Sequence, residues 1–582
     1  MAHAGPSTSS PRKAVPDYLH SLSAAQLKAA THPSTGALCI SAPPGSGKTR
    51  VLTSRVAWLV REEKIMPEEM VVVTFTNKAA NEMKQRLFKL IGGDRTSRLV
   101  LGTFHATCAR FLRKYGQLIG LQNNFSIMDA DDSRKVIKAI LGDMKEHLDA
   151  EKLKITPETA QSTISWAKAK DVSPAAYRAT INKRSTAKTW RGDENETSNW
   201  KAVIANVYEE YQDRLQESNA LDFDDLLVFG VKLLRKHPSV VDNIRHVLVD
   251  EMQDTNTTQY ELMSLFASAT RCVTTVGDPD QSVYGWRAAE IGNLDRMSRE
   301  FKTSHCLLEE NYRSTGKILE AALAVIEQDP ARVAKGLFTS HPAGPPVTLK
   351  VATSPQAEAG FIATEVKRLI AHSGGMLNFG DFVVLLRYNA LSRDIEQALQ
   401  AESIPSRMVG GSKFFDRMEV KDILAYLTLV VNPGYTPAFT RVVNVPKRGI
   451  GEKSVAGFLA SAREEGVSAM VLAERVADSP SKKPLFGVKP SNKTGLVQLV
   501  NGVRELRDAA AKGAQVHRLI EMVLDNISYK SHISKEPDFD SRMKNVEELM
   551  NFSKIIMEAA GSLQDLRELN RPDREDSFEN IR

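Results

Sequence analysis

Residues 42–49 read Ala42, Pro43, Pro44, Gly45, Ser46, Gly47, Lys48 and Thr49, a run of small and turn-forming residues closed by a lysine and a hydroxyl. Small residues let backbone N–H groups converge on one point, which suits anionic oxygens. Lys48 adds a mobile positive charge, and Thr49 adds an oxygen suited to a hard divalent cation. An apolar run, 37–40, leads in and a helix-compatible run, 50–60, leads out. The turn therefore opens a helix whose positive dipole end points at the same place. The combination predicts a cradle for nucleoside triphosphate, with Arg50 beside it and Lys48 on the β- and γ-phosphates. A second cluster, VLVDEMQD at 247–254, ends an apolar run with two adjacent carboxylates. Asp250 is expected to hold Mg²⁺ together with Thr49, and Glu251 to orient and deprotonate an attacking water. Alone, such an acidic pair equally well caps a helix; together the clusters predict ATP hydrolysis.

These groups need a scaffold. Short apolar runs bounded by turn signals recur at 37–40, 70–75, 99–102, 246–249 and 272–276. Continuous runs of four to six imply strands buried on both faces, hence a parallel sheet covered by helices. Ligands bind beyond the carboxyl ends of such strands, so the residues following each run should share one rim. Between about 113 and 217 the strand signal gives way to helical segments such as 130–148 and 202–216. Within it, residues 161–205 carry eight Lys/Arg against four Asp/Glu, with Trp166, Trp190 and Trp200 interleaved. This reads equally as a solvated face or a DNA-binding patch. A second α/β region starts near 307, with strand-like 347–351 and 382–386, and the chain is mostly helical from about 420. Residues 479–493, rich in Lys, Pro and Ser, read as a loop.

The 582 residues predict roughly three to five domains. A hydrophobic content of 42% and a charged content of 25% are ordinary for globular protein. No apolar stretch approaches the ~20 residues of a membrane span. The Ser/Pro-rich start reads as a disordered tail, not a secretory signal. Lys+Arg 77 against Asp+Glu 71 gives +6, which permits nucleic-acid binding without requiring it. Cys39, Cys108, Cys272 and Cys306 form no CxxC pair and read as thiols in a reducing compartment.

In order along the chain, residues 22–30 with Gln26, APPGSGKT, TFTNKAANEMKQR (74–86), GTFHA (102–106), LDFDDLL (221–227) and DEMQDTN (250–256) are followed by VGDPDQSVYGWRAAE (276–290) and LEENYRS (308–314). DFVVLLRYNALSR (381–393), GGSKFFDRMEVKDILAYL (410–427) and RVVNVPKRGIG (441–451) continue the set. It resembles the UvrD-like branch of superfamily 1 DNA helicases, and looks similar to its fungal anti-recombinase members, over about 22–549. The resemblance implies an α/β fold of two RecA-like parallel-sheet P-loop cores, each with a mostly helical insertion. The boundaries are a disordered tail (1–20), a first core (21–112 and 218–306) interrupted by a helical insertion (113–217), a second core (307–419), a second helical insertion (420–555) and a carboxy-terminal segment (556–582).

The resemblance also implies roles. Gln26 should read the adenine edge, Tyr312 stack on the base, Gln281 sense the γ-phosphate and Arg313 neutralise charge on the transferred phosphoryl group. Thr74, Phe75, Asn77, Phe104, His105, Tyr284, Trp286 and Arg287 match the single-strand channel, with Phe104 the member of the set most prone to burial and Trp286 the foremost DNA contact. The implied activity is ATP- and Mg²⁺-dependent 3′–5′ DNA helicase or translocase action on single-stranded DNA and single/double-strand junctions, in repair or recombination. Recombinase filaments are implied partners, and the nucleus the implied compartment, or the cytoplasm in a prokaryote.

Met252 stands where the family has an aromatic, and Pro43 and Pro44 where it has more flexible residues. The family continues with T-x-H-x-x-K-G-L-E and Y-V-x-x-T-R segments that do not occur here. The expectation is a truncated chain with an incomplete second core, binding ATP through the first core but unwinding weakly. The alternative is a catalytically weak ATP- and DNA-binding regulatory protein.

Overall fold

The computed structural model describes residues 15–185, 194–285, 288–330, 332, 335–388, 391–408, 414–480, 486 and 490–568. Ten strands are present among them: β1 (Ala37–Ser41), β2 (Met70–Thr74), β3 (Val100–Thr103), β4 (Ser126–Met128), β5 (Ala220–Asp222), β6 (His246–Val249), β7 (Val273–Gly277), β8 (Ser304–Leu307), β9 (Glu310–Asn311) and β10 (Phe338–Thr339). Six form one parallel sheet in the order β3-β2-β6-β7-β1-β8. The five apolar runs became β1, β2, β3, β6 and β7. The sequence reading did not foresee β8.

Successive strand side chains face opposite sides, and both sides are dry. Val71, Val73, Val247 and Val249 pack with Phe104, Leu227 and Tyr260. Val72, Leu248, Leu38 and Ile40 pack on the other side with Val51, Leu52 and Met83. Helices start directly beyond the strand ends because the next residues can cap them. Thr76 Oγ1 accepts from Ala79 N at 3.1 Å, Thr103 Oγ1 from Ala106 N at 3.2 Å, and Asn256 Oδ1 from Gln259 N at 2.9 Å. Each such cap contributes about 1 kcal/mol, and together they place several helix N-termini on one rim.

Below that rim His246 is fully buried, its Nε2 2.9 Å from Thr274 Oγ1, which also accepts from Arg55 Nε at 3.2 Å. Burial, then the Arg55 charge, push the imidazole down to about 3. The unfolded side chain takes its proton near ~6.5, so the unfolded state binds more protons as pH falls through that value. Stability is therefore lost progressively from about pH 6.5 towards pH 3. Urea unfolding should show the parent losing about 2 kcal/mol more than His246→Gln between pH 7 and pH 5; equal losses would remove His246 from the account.

The helices Ala130–Asp143, Lys145–Ala150, Pro157–Ala169, Pro174–Ser185 and Glu194–Glu217 follow. The parallel pair β4–β5 closes the neck of this region, so the expected absence of strand there is corrected by one three-residue strand too short to leave an apolar run. The basic stretch divides. Lys168 is buried, at 2.7 Å from Asp222 Oδ2 and 2.8 Å from Asp225 Oδ1, and Trp200 packs on the helical core. Trp166 is half exposed, with Lys170 Nζ 4.3 Å from its ring centre. Trp190 lies outside the described residues.

From Met418–Val431 to Phe539–Glu568 the described chain is helical. Its apolar residues, including Val420, Tyr426 and Leu499, share one continuous core with Ile137, Ile164 and Tyr211 of the earlier helices. Asn432 Nδ2 fastens the two by donating to Ser126 Oγ and Asn219 O, both at 2.9 Å. The stretch read as a loop at 479–493 lies partly outside the described residues, and helix Pro490–Ala511 begins within it.

The region from 307 to 408 differs most from expectation. Residues 347–351 and 382–386 form no strand and join no sheet among the described residues, and Leu349 and Leu385 are 90% and 87% exposed. With no neighbouring strand among the described residues to pair their N–H and C=O groups, the apolar pattern has nothing to register against. What remains is the parallel pair β9–β10, helix Gly316–Ile326, and helices Pro355–His372 and Ser392–Ala401, which meet through Ala359, Ala363, Ile395 and Leu399.

Candidate active site and nucleic-acid interface

The phosphate loop leaves β1 at Ser41. Ala42 is fully buried and its N–H donates to Gly277 O at 3.0 Å, so this position continues the strand and needs no glycine. Gly45 and Gly47 do need to be glycine. Their φ values are +70° and +86°, and a Cβ there would meet Asn311 Nδ2 at 2.4 Å and Gln26 Nε2 at 2.8 Å. Gly47 is the N-cap of helix Lys48–Arg61. Within the loop Ser46 Oγ donates to Pro43 O at 2.7 Å, and Asn311 Nδ2 donates to Pro44 O at 2.7 Å. The tight path thus fixes the two prolines from both sides. Arg50 lies exposed, donating to Ser21 O at 2.8 Å.

Beyond β6, the Asp250 N–H donates to Val73 O at 2.9 Å and its carboxylate accepts from Glu251 N at 3.1 Å. Asp250 is buried, and burial followed by Glu251 pushes it up to about 7. Lys48 Nζ stands 3.6 Å from Glu251 Oε2 and acts in the opposite direction on Asp250. Two acids crowded against one lysine are short of positive charge. Thr49 lies in the first turn of helix Lys48–Arg61 and the Lys48 charge acts on Asp250, so the hydroxyl and carboxylate donors fit a Mg²⁺ ion accompanying a triphosphate. Glu251 has φ +51°, a left-handed conformation costing about 1–3 kcal/mol for a residue of this kind. Gln253 holds it there. Gln253 is buried, and its Nε2 donates to Glu251 Oε2 at 2.8 Å and to Asp254 Oδ2 at 3.3 Å, while its Oε1 accepts from Asp278 N at 2.9 Å.

Gln26 is buried against the loop: Nε2 donates to Ser46 O at 2.9 Å and Oε1 accepts from Ser23 N at 3.1 Å. Tyr312 is 41% exposed and donates through its hydroxyl to Glu310 Oε2 at 2.6 Å. Its N–H donates to Gly45 O at 2.9 Å. Arg313 is exposed, and a Cβ on Gly45 would lie 2.9 Å from the Arg313 Cβ. Gln281 closes the turn after β7, its Nε2 donating to Asp278 Oδ2.

On the β2–β3 side of the same rim, Phe75 and Tyr284 have ring centres 4.6 Å apart. Asn77 begins helix Asn77–Ile91 and is exposed, whereas Thr74 is buried at the end of β2, its hydroxyl donating to Thr76 O at 3.1 Å. Phe104, placed on the single-strand channel by the resemblance, is instead buried and serves the core. His105 stays half-buried, edge-on to Phe223 at 6.1 Å. Trp286 and Arg287 lie outside the described residues. β7 lies between β1 and β6 in the sheet, so the turn carrying Gln281 and Tyr284 leads from the carboxylates to the aromatic pair.

Comparison with known families decides what this rim belongs to. Residues 22–302 match the family model described as UvrD/REP helicase N-terminal domain, and 306–574 match UvrD-like helicase C-terminal domain. The chain belongs to the UvrD-like helicase family. It is 36% identical over 527 residues to ATP-dependent DNA helicase PcrA of Leuconostoc citreum, covering 89% of this chain and 66% of that protein. It is 38% identical over 435 residues to ATP-dependent DNA helicase srs2 of Schizosaccharomyces pombe, covering 74% and 48%. PcrA of Staphylococcus aureus strain Mu50 is 35% identical over 530 residues, covering 89% and 68%. The chain thus spans about half to two thirds of the length of these relatives.

Two residues of this UvrD-like site escaped the sequence reading. Gln253 sits among acids, where nothing local singles it out. Phe223 is 54% exposed at a helix start, and an aromatic flanked by aspartates was the available signal. Gly277 reports on Gln253 directly, because a Cβ there would lie 2.7 Å from Gln253 Oε1 and 3.3 Å from Met252 N. Gly277→Ala should therefore displace Gln253 and Glu251 and lower kcat for ATP at least about tenfold, with KM changed less. Unchanged kcat would show that Gln253 does not hold the base.

Proposed function

We propose that this chain is an ATP-dependent 3′–5′ DNA translocase and helicase acting on single-stranded DNA and on single/double-strand junctions in repair or recombination. The observation that carries the reading is the buried Gln253, which bonds both the Glu251 carboxylate and the turn leading to Tyr284. In this reading Lys48 holds the β- and γ-phosphate oxygens, and Thr49 and Asp250 hold Mg²⁺, which neutralises phosphate charge when bound. Glu251 takes the proton of the attacking water, and Arg313 neutralises charge on the γ-phosphoryl group. Gln26 and Tyr312 frame the adenine, and Gln281 senses the γ-phosphate. Phe75 and Tyr284, with Trp286 and Arg287, stack bases and hold phosphates without reading sequence. The similarity to an ATP-dependent DNA helicase of Schizosaccharomyces pombe supports the helicase reading; the proposal adds a nuclear place and recombinase filaments as partners.

The exposed apolar alternation at 347–351 favours a second reading, a weak ATPase that uses nucleotide as a switch. ATP turnover with and without oligothymidylate separates the two. The helicase reading expects stimulation by DNA, lost together with about 1–3 kcal/mol of DNA affinity, or up to about 10²-fold, in Phe75→Ala/Tyr284→Ala. Turnover indifferent to oligothymidylate would favour the switch.

A further inference from the structure

Asp278 is completely buried at the end of β7, and its carboxylate is a hub. Oδ1 accepts from Asp280 N at 3.1 Å, and Oδ2 accepts from Gln281 Nε2. The remaining partner comes from far along the chain. Lys335 Nζ pairs with Asp278 Oδ1 and lies 3.1 Å from Asp280 Oδ2, with its side chain only 5% exposed. Arg332 Nε donates to Asp280 Oδ2 at 3.0 Å.

Lys335 and Arg332 lie between helix Gly316–Ile326 and β10. The Phe338 N–H donates to Glu309 O at 3.1 Å, and β10 pairs with β9, which runs into Tyr312 and Arg313. Asn311 and Tyr312 in turn bond the phosphate loop at Pro44 O and Gly45 O. One small unit of the carboxy-terminal half therefore grips the first core twice, at the phosphate loop and at the turn bearing Gln281.

We propose that Lys335, assisted by Arg332, is a positioning residue that sets the orientation of Gln281 and so relays the placement of the carboxy-terminal half to the nucleotide and DNA sides of the rim. The assignment rests on the proposed function above. The physical basis is competition at one carboxylate. While Lys335 neutralises Asp278, the Gln281 amide has a fixed acceptor of defined charge. Withdrawing the ammonium leaves a buried carboxylate short of positive charge, which must draw in other donors and reorient Gln281. A change in the position of Arg332 and Lys335 is thereby converted into a change at the turn that leads to Tyr284.

The test uses the full chain with a non-hydrolysable ATP analogue and fluorescent oligothymidylate. The ratio of DNA affinities with and without analogue measures coupling, and each single affinity and the thermal midpoint are measured alongside. Lys335→Met should keep each separate affinity within about threefold of the parent while coupling falls at least fivefold, and Lys335→Arg should restore at least half of it. A purely structural ion pair would lower the thermal midpoint or all affinities without selectively removing the ratio. Coupling retained in Lys335→Met, or affinities and ratio falling together, overturns the assignment while leaving the proposed function intact. Absence of coupling in the parent overturns both. Should Lys335→Met fail to fold, Arg332→Gln carries the test: a coupling at least twofold lower supports the relay, and an unchanged one overturns it.

Discussion

Replacing Glu251 by glutamine should lower DNA-stimulated ATP turnover about 10²–10⁴-fold, with ATP affinity held within about threefold. The substitution is nearly isosteric and keeps an oxygen that can accept from Gln253 Nε2, now 2.8 Å from the carboxylate. It removes the only function glutamine cannot supply, acceptance of a proton from water. Binding should survive because the phosphate cradle is built by Gly45, Gly47 and Lys48, not by Glu251. The loss of one negative charge also relieves Asp250, which burial and Glu251 together push up to about 7. Steady-state kcat and KM, with a nucleotide titration alongside, check this. A kcat within tenfold of the parent would remove Glu251 as the base. A parent already as inert as the variant would decide for the switch reading.

Lys48→Ala acts at the other end of the same crevice and should weaken a non-hydrolysable ATP analogue by about 10–10²-fold, the loss of charge-assisted bonds worth about 1.5–3 kcal/mol. Turnover should fall further, by about 10³-fold, since Lys48 is placed to neutralise charge that develops on the β–γ bridging and leaving-group oxygens towards the transition state. The free protein should still fold but melt somewhat lower, because the Lys48 side chain is only 12% exposed and its loss leaves Asp250 and Glu251 with less neighbouring positive charge. Calorimetric titration of the analogue, with thermal melts of the free proteins, separates a lost contact from a lost fold. Analogue affinity within twofold of the parent would mean that the loop is not the phosphate site.

What could be read from the sequence follows the range of the interactions concerned. The strand at Met70–Thr74 was legible because burial on both faces demands an uninterrupted apolar run, and the loop because Gly45 and Gly47 announce backbone that side chains cannot follow. Phe104 matches the single-strand channel by resemblance but packs in the core, because local sequence does not show which face of the helix start is covered. Lys168 was counted in a basic patch, although its partners Asp222 and Asp225 stand more than fifty residues away, at the start of the helix Phe223–Lys236. A local charge count cannot see that neutralisation. Gln253 was passed over for the same reason, since its importance lies in an acceptor offered to Asp278 on the adjacent strand end. Residues 347–351 and 382–386 carry a strand pattern but pair with no strand among the described residues, and pattern alone specifies a face, not a ladder.

The central claim is that nucleotide and DNA are held by one rim whose two sides are joined through Gln253. The dissociation constant of fluorescent oligothymidylate, measured with and without a non-hydrolysable ATP analogue in the parent and in Gln253→Ala, tests it most directly. The account predicts at least a fivefold change with analogue in the parent, the lower end of ordinary coupling energies, shrinking below twofold in the variant. No change in the parent, or coupling undiminished in Gln253→Ala, would contradict it.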